Sequence, residues 1–452
     1  MNDQDSFTLL LRDVRSFEGL QKVLIRPLTL LVGENSSGKS TVLAALNAVA
    51  MGSGFPSQPS FNRAPFSLGG FDSILASSSV RSGRKREFSI GFEYIGSEPK
   101  TDDDRFRRDR TSRTVFATYE NWHGQPRLSE LSIETAEGAR VIVRPSYVKD
   151  SITNIAGTFV QGEQEFEFSN DAVIPYQILA WADFSHLLHS ARLNVPPEKQ
   201  RLIERIMQTI GYASDRVPFR TVPLSPIRTR PQRSYSEATD VFEPSGEHVP
   251  VLLHRLLLDQ AGSAEGDELL EALKTYGIES GLLERVKVRQ QGPKADDPFQ
   301  ILVVLGSRSR NLVDVGYGVS QSLPLVVETV LAKSRSVLLV QQPEVHLHPR
   351  AQAALGSFFA RSVANLGKRL VVETHSDYLV DRVRLAIADG TIKRENVSLL
   401  FFERKRARTK IHHIDLDSVG NILNPPVGYR DFFLSETMRN LSRGASVNVH
   451  NR

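Results

Sequence analysis

Eight residues near the N-terminus, Gly33-Glu34-Asn35-Ser36-Ser37-Gly38-Lys39-Ser40, fit the pattern G-x-x-x-x-G-K-[ST]. Glycines in such a turn let consecutive backbone N–H groups wrap an anion. The lysine reaches the β- and γ-phosphates of a nucleoside triphosphate, and the hydroxyl after it ligates magnesium. Ordinary residue frequencies produce this pattern by chance in about one per cent of chains this long. The candidate cofactors are therefore ATP and Mg2+. The candidate binding residues are Gly33, Asn35, Ser36, Ser37, Gly38, Lys39, Ser40 and Thr41, with Ser40 on the metal.

Such a turn works only between a buried strand and a helix, and the flanking sequence supplies both. Leu28-Thr29-Leu30-Leu31-Val32 reads as a buried strand, and Lys39 to Ala50 as a helix with Leu43, Leu46 and Val49 on one face. The helix aims its N-terminal partial positive charge at the same anion. Phe7–Leu11 reads as another strand. Towards the C-terminus, Val337–Val340 is a short apolar run of the kind covered on both faces. A helix from Arg350 to Asn365, a strand Arg369–Glu373, a helix Tyr378–Ala388 and a strand Val397–Phe402 follow. This alternation predicts an α/β fold built on a mostly parallel sheet.

The middle of the chain has a different texture. Over residues 65–180, segments such as Glu87–Tyr94 and Arg140–Val143 alternate as antiparallel strands do, while 185–290 read mainly as helices broken by Pro223 to Pro231. No internal repeat and no sustained heptad pattern is present, which argues against a long-armed coiled-coil architecture. The predicted division is an ATPase core of 1–65 and 300–425, an inserted β-rich lobe of 66–180, a helical lid of 181–299 and a tail of 426–452.

The 452 residues are 40% hydrophobic and 24% charged, ordinary for a soluble globular chain, and contain no cysteine. That excludes disulfides, a thiol nucleophile and a cysteine zinc site. No apolar run approaches the ~18 residues of a membrane span, and the polar Met1–Asp5 is unlike a signal peptide. A cytoplasmic location without a membrane partner is expected. The net charge of +4 is too small to prove a nucleic-acid partner.

Residues Val337–Val340 run into Gln341-Gln342-Pro343-Glu344-Val345-His346-Leu347-His348-Pro349. This phrase resembles the Walker B and D-loop region of ABC-type ATPases related to the OLD (overcoming lysogenization defect) proteins. Asp314-Val315-Gly316-Tyr317-Gly318-Val319-Ser320-Gln321 is similar to that family's variant signature, and Glu373-Thr374-His375-Ser376-Asp377 to its switch-histidine loop. Leu224–Arg228 with Gly246–His248 resembles the shared lid segment, and Gly428–Phe433 recurs in some members. The likeness covers both ends of the chain and thins over 65–220. It implies an ABC-type head with a mixed sheet that works as a homodimer or higher even oligomer. In such a dimer ATP lies between the P-loop of one copy and the signature of the other. Gly318 and Ser320, with Gly316, would contact the γ-phosphate in trans. His375 would sense it, and Gln232 or the nearby lid would report on the metal. The spacing of His346 and His348 also suits zinc, but beside a phosphate cradle these histidines are expected to shape the turn and the dimer face.

The family carries an acid at the position of Gln341 and an acid or glutamine at that of Gln342. A glutamine carbonyl coordinates weakly, carries no charge and accepts no proton at neutral pH. Gln341, as metal ligand, and Gln342 are thus expected to support nucleotide binding with poor hydrolysis. Gln341 is either an introduced Glu→Gln change or the natural residue of a slow clamp, and Glu344 is a possible substitute acid that Pro343 should aim elsewhere. After Phe402 too few residues follow for a Toprim nuclease. The resemblance therefore implies a separate effector subunit, which supplies any nuclease chemistry, as in Septu-type and retron-associated anti-phage modules. The alternative is a RecF-like DNA clamp using the arginines around Arg84 and Arg105 and the run Arg404–Arg408, although Asp102, Asp103, Asp104 and Asp109 interleave with the second group. Phe17 offers a ring for base stacking or for the core.

Overall fold

The computed structural model describes residues 6–50, 52–76, 86–94, 113–135, 138–149, 151–162, 164–175, 219–236, 241–294, 297–333 and 335–430. It begins with a hairpin, β1 (Phe7–Val14) and β2 (Phe17–Ile25), followed by β3 (Leu28–Gly33). Strand β3 is buried along all but its last residue and runs into the helix α1 (Lys39–Val49).

Strands β4 (Glu87–Tyr94), β5 (Arg113–Trp122), β6 (Gln125–Thr135), β7 (Arg140–Val148), β8 (Ser151–Gln161) and β9 (Gln164–Pro175) form an antiparallel series. Strand β1 pairs with both β2 and β4, giving an eight-stranded sheet in the order β2-β1-β4-β5-β6-β7-β8-β9. The first hairpin thus shares a sheet with the β-rich segment. Its alternate residues Phe7, Leu9 and Leu11 are buried in the same core as Phe88, Ile90 and Phe92 of β4.

The second sheet has seven strands. Strand β10 (Arg220–Leu224) forms one edge. Further along the chain, β11 (Arg285–Gln290), β12 (Phe299–Leu305) and β13 (Arg308–Asn311) make a separate small antiparallel sheet. Strands β14 (Ser336–Gln341), β15 (Arg369–Glu373), β16 (Val397–Lys405), β17 (Arg408–Leu416) and β18 (Ile422–Leu423) complete the set. The order is β10-β14-β15-β3-β16-β17-β18, parallel from β10 to β16 and antiparallel beyond. The sheet is therefore mixed. Its central strands are apolar throughout because both faces are covered. Val337 and Leu339 of β14 point into the core shared with α1, and Leu338 and Val340 into the core on the opposite side. Helix α1 is buried on nearly every side because it lies between the two sheets.

The opposite face carries α2 (Val249–His254), α3 (Ala264–Ser280), α4 (Tyr317–Leu331), α5 (Pro349–Leu366) and α6 (Asp377–Ala388). Two parts of the expected helical region are strands instead. Residues Pro223–Pro231 were expected only to interrupt helices, but Pro223 lies inside β10, opposite Leu339. An edge strand tolerates a residue without an N–H because one of its sides makes no ladder. Residues Arg285–Gln290 form β11, whose buried Val286 alternates with exposed neighbours, a period of two in place of a helical one. The helices expected between residues 185 and 218, the arginines Arg81, Arg84, Arg105, Arg107, Arg108 and Arg110, and the tail after Arg430 lie outside the described residues. Among the described residues, no helix is long and apolar enough to cross a membrane.

Candidate functional site

Strand β3 ends in Gly33, whose φ of 139° brings the backbone so near β16 that a Cβ would lie 2.5 Å from the Phe402 carbonyl oxygen. The turn then passes through Ser36 at φ 58° and Gly38 at φ 95°, both left-handed. Alternation of this kind points successive N–H groups into one concavity. Helix α1 starts at Gly38 with no side-chain cap, so its first N–H groups are free to bind an anion. Lys39 is buried, and its ammonium donates to the Gly33 carbonyl at 3.0 Å and to the Glu34 carbonyl at 2.7 Å. Burial pulls its pKa down, opposed by Glu373, Glu344 and Glu34. The Ser37 hydroxyl is buried without a hydrogen-bond partner among the described residues, an unused donor inside the turn. A cavity of about 340 Å³ opens here, lined by Arg15, Ser16, Ser36, Ser37, Gly38, Lys39, Ser40, Thr41 and Glu373. The uncapped helix, the left-handed turn, the lysine and the orphaned hydroxyl all suit a polyphosphate. Asn35 is part of the turn but does not line this cavity.

Phe17 begins β2 and is fully buried. Its ring packs edge-on against Phe402, and a Cβ on Gly38 would lie 2.7 Å from its Cζ. Phe17 is therefore a core residue supporting the turn from behind, which removes it as a stacking platform. Arg15, beside it, reaches the carbonyls of Ser67 and Leu68 and faces the cavity.

At the edge of the cavity, Ser40 Oγ lies 2.8 Å and 3.0 Å from the two carboxylate oxygens of Glu373, to which its proton is donated. Gln341 Nε2 donates to Ser40 Oγ at 3.2 Å. Burial raises the Glu373 pKa, offset by the Ser40 bond and by Lys39. The Gln341 side chain also helps to lower the Glu373 pKa. Gln342 has a left-handed φ of 43°, and its N–H donates to the Glu373 carbonyl, so its backbone clips the ends of β14 and β15 together.

Glu344 accepts hydrogen bonds from Thr374 Oγ1 at 2.8 Å and from the His375 N–H at 2.6 Å. Both its oxygens thus brace the loop after β15. Burial raises its pKa against the pull of these bonds and of Arg228. His375 itself is exposed, and its pKa is lowered, chiefly by desolvation and then by Lys39. His346 packs its ring edge against Tyr317, and His348 Nδ1 accepts the Arg350 N–H to cap α5. These contacts give both histidines structural work at the turn.

In the signature segment, Gly316 and Tyr317 are exposed at the start of α4 and Gly318 is half-buried. Ser320 is only 5% exposed, and its hydroxyl donates to the Tyr317 carbonyl of its own helix. The outward face here is the glycine backbone, not the Ser320 hydroxyl. Gln232 is exposed beyond β10, its N–H bonded to Tyr235 Oη, and does not line the cavity at the Gly33–Ser40 turn. In the lid segment, His248 bonds Glu328 through Nε2 at 2.6 Å, whereas Arg228 is buried with both terminal nitrogens lacking a hydrogen-bond partner among the described residues. Its pKa is lowered to about 10 by desolvation, against the influence of Tyr276, Glu344 and Tyr317.

The family model described as "AAA domain, putative AbiEii toxin, Type IV TA system" matches residues 28–381, well over half of the sequence. The chain belongs to this family. It is a member of a nucleotide-binding P-loop ATPase family with an α/β fold. Among solved structures, it is similar to an SmcHead bound to the C-winged helix domain of ScpA, at 11% identity, covering 91% of this chain and 97% of that one, with a TM-score of 0.40. It is also similar to the SMC head domain from Thermotoga maritima, at 10% identity, 90% and 98% coverage and a TM-score of 0.35. A third is the Smc head domain with an extended coiled coil bound to the C-terminal domain of ScpA derived from Pyrococcus furiosus, at 10% identity, 96% and 98% coverage and a TM-score of 0.36. No curated protein matches the chain.

Within this AAA chain the basic run at the β16–β17 turn lies next to the P-loop. Arg404 donates to the Ser36 carbonyl at 3.3 Å, Lys405 pairs with Glu403 and Arg408 with Glu18. Sequence reasoning missed Arg15, offered Arg404 only as a contact to DNA phosphates, and quoted Arg228 and above all Glu373 within their segments without giving either a role. The signal for Glu373 was an acid closing the apolar strand Leu370–Val372.

Proposed function

We propose that this chain binds ATP with magnesium in the Gly33–Thr41 cradle. Two copies then close on the nucleotide, each presenting the Gly316–Gly318 backbone at the start of α4 to the other's phosphates. The observation that carries this reading is the cradle itself, an uncapped helix start around a buried lysine and an orphaned Ser37 hydroxyl. ATP and magnesium are the cofactors that such a site takes when loaded, the ion polarising the phosphates. Lys39 and the turn N–H groups hold the phosphates, Ser40 faces the ion, and His375 stands at the γ-phosphate end. Gln341 and Gln342 supply no proton acceptor, so turnover is slow and the protein acts as a clamp. The clamp scaffolds or restrains a separate effector in anti-phage defence, as the OLD-like motifs suggest. The toxin–antitoxin wording of the family description supports a paired effector. Residues 1–65 and 300–425 are the engine in this scheme, and 181–299 its lid.

The absence of cysteine makes the dimer directly testable. Ser36→Cys on one copy and Tyr317→Cys on another should crosslink between protomers with ATP and magnesium and not without them. A crosslink independent of nucleotide, or none, refutes the clamp. Gln341→Glu should raise turnover, and brisk hydrolysis by the unaltered chain would remove the slow-clamp reading. Co-purification with a neighbouring gene's product at high salt supports the effector. A salt-sensitive shift of duplex DNA in its place would favour a DNA clamp.

A further inference from the structure

We propose that Glu373, at the end of β15, is the acid that holds the divalent cation of the bound nucleotide, in place of the carboxylate missing at Gln341. The inference rests on the nucleotide reading and adds to it the identity of the metal-side charge.

The strand register brings the two positions side by side. Gln341 of β14 is the partner of Glu373 on β15, and Glu373 is in turn the partner of Leu31 on β3. The acid has moved one strand along the sheet, about 4.8 Å, towards the strand that carries the P-loop. It remains at the carboxyl ends of the strands, and among the described residues it is the one acid lining the phosphate cavity.

The hydrogen bonds suit this role. Because Ser40 donates its only proton to Glu373, its oxygen keeps a lone pair for an ion on the cavity side. The amide of Gln341 donates to Ser40 Oγ, which holds the hydroxyl in place beside the carboxylate. Gln341 is thus a positioning residue that holds the Ser40 hydroxyl beside the acid on β15, and Ser40 with Glu373 forms the relocated metal site. Glu344 does not compete for the role, since both its oxygens are occupied by Thr374 and His375.

The test is binding, not turnover. Affinity for a non-hydrolysable ATP analogue is measured in EDTA and in Mg2+, and Mn2+ bound with the analogue is counted by electron paramagnetic resonance. In the unaltered chain the metal should tighten nucleotide binding. In Glu373→Gln that metal-dependent gain should fall about 10- to 100-fold, while affinity in EDTA is kept or improves because a negative charge has left the phosphate cavity. Gln341→Glu combined with Glu373→Gln should recover much of the gain by returning the charge one strand over. An undiminished gain in Glu373→Gln overturns the inference and leaves the nucleotide site standing. No nucleotide bound by the unaltered chain in either buffer overturns both. Should Glu373→Gln not fold, Glu373→Asp keeps the charge but withdraws it by one methylene. Partial loss of the gain in that variant supports the assignment, and full retention sinks it.

Discussion

Arg228 should destabilise the nucleotide-free protein, and replacing it with methionine should make the protein more stable. The guanidinium is 3% exposed, and neither terminal nitrogen has a hydrogen-bond partner among the described residues. Burial lowers its pKa by more than two units, to about 10. At 1.36 kcal/mol per unit, that corresponds to roughly 3 kcal/mol of penalty on the charged form. The figure is a net one and already contains the attraction to Glu344. Methionine keeps the aliphatic stem but loses some packing, so the expected gain is about 1–3 kcal/mol, within the range seen when buried charges are exchanged for apolar groups. At about 2 °C per kcal/mol for a large domain, Tm should rise by roughly 2–6 °C. The pH dependence separates this cause from a simple packing gain. A depressed pKa on a basic group means that the folded state binds fewer protons than the unfolded state. The penalty is then fully present below about pH 10 and relieved as pH rises through it. The difference in Tm between Arg228→Met and the unaltered chain should be flat from pH 6 to 9 and should shrink above 10. Differential scanning calorimetry across that range is the assay. A fall in Tm at pH 7.5 would show that the guanidinium is well paired and would refute the reasoning.

Phe17→Ala removes a fully buried ring that backs Gly38, so it should cost about 3–5 kcal/mol and lower Tm. It should also weaken nucleotide binding in equilibrium titrations, because the turn loses its support. A variant as stable as the parent would return Phe17 to the surface role that its burial excludes. His375 should titrate below its usual value in the free protein, and ATP should raise its pKa, since a nearby anion favours the imidazolium. Binding then takes up a proton, so affinity should increase as pH falls through the raised value. Ring-proton NMR with and without nucleotide reads both, and a pKa unmoved by ATP would place His375 away from the phosphates.

Much of the architecture was legible because burial on both faces writes itself as unbroken apolar runs. Leu28–Val32, Val337–Val340 and Arg369–Glu373 became neighbouring strands, with β3 beside β15 and β15 beside β14. The helices after the P-loop and after His348 begin within a residue of their expected starts, since glycine and proline punctuate those points. Strand β10 was lost to its own Pro223, which suggests a break unless one knows that the strand lies at an edge. Strand β2 escaped notice because most of it is only partly buried and its pattern is irregular.

The candidate site divides along the same line. Gly33, Lys39 and Ser40 lie within eight residues of the chain, and a local turn suffices to bring them to one concavity, so their candidate chemistry could be read from spacing alone. Strand pairing, which no local pattern specifies, decides which acid meets Ser40. Residues 40 and 373 are 333 positions apart and touch because β15 inserts between β14 and β3. The absence of charge at Gln341 is plain in the sequence, but only the sheet order sets a carboxylate one strand away, where the hydroxyl of Ser40 already points.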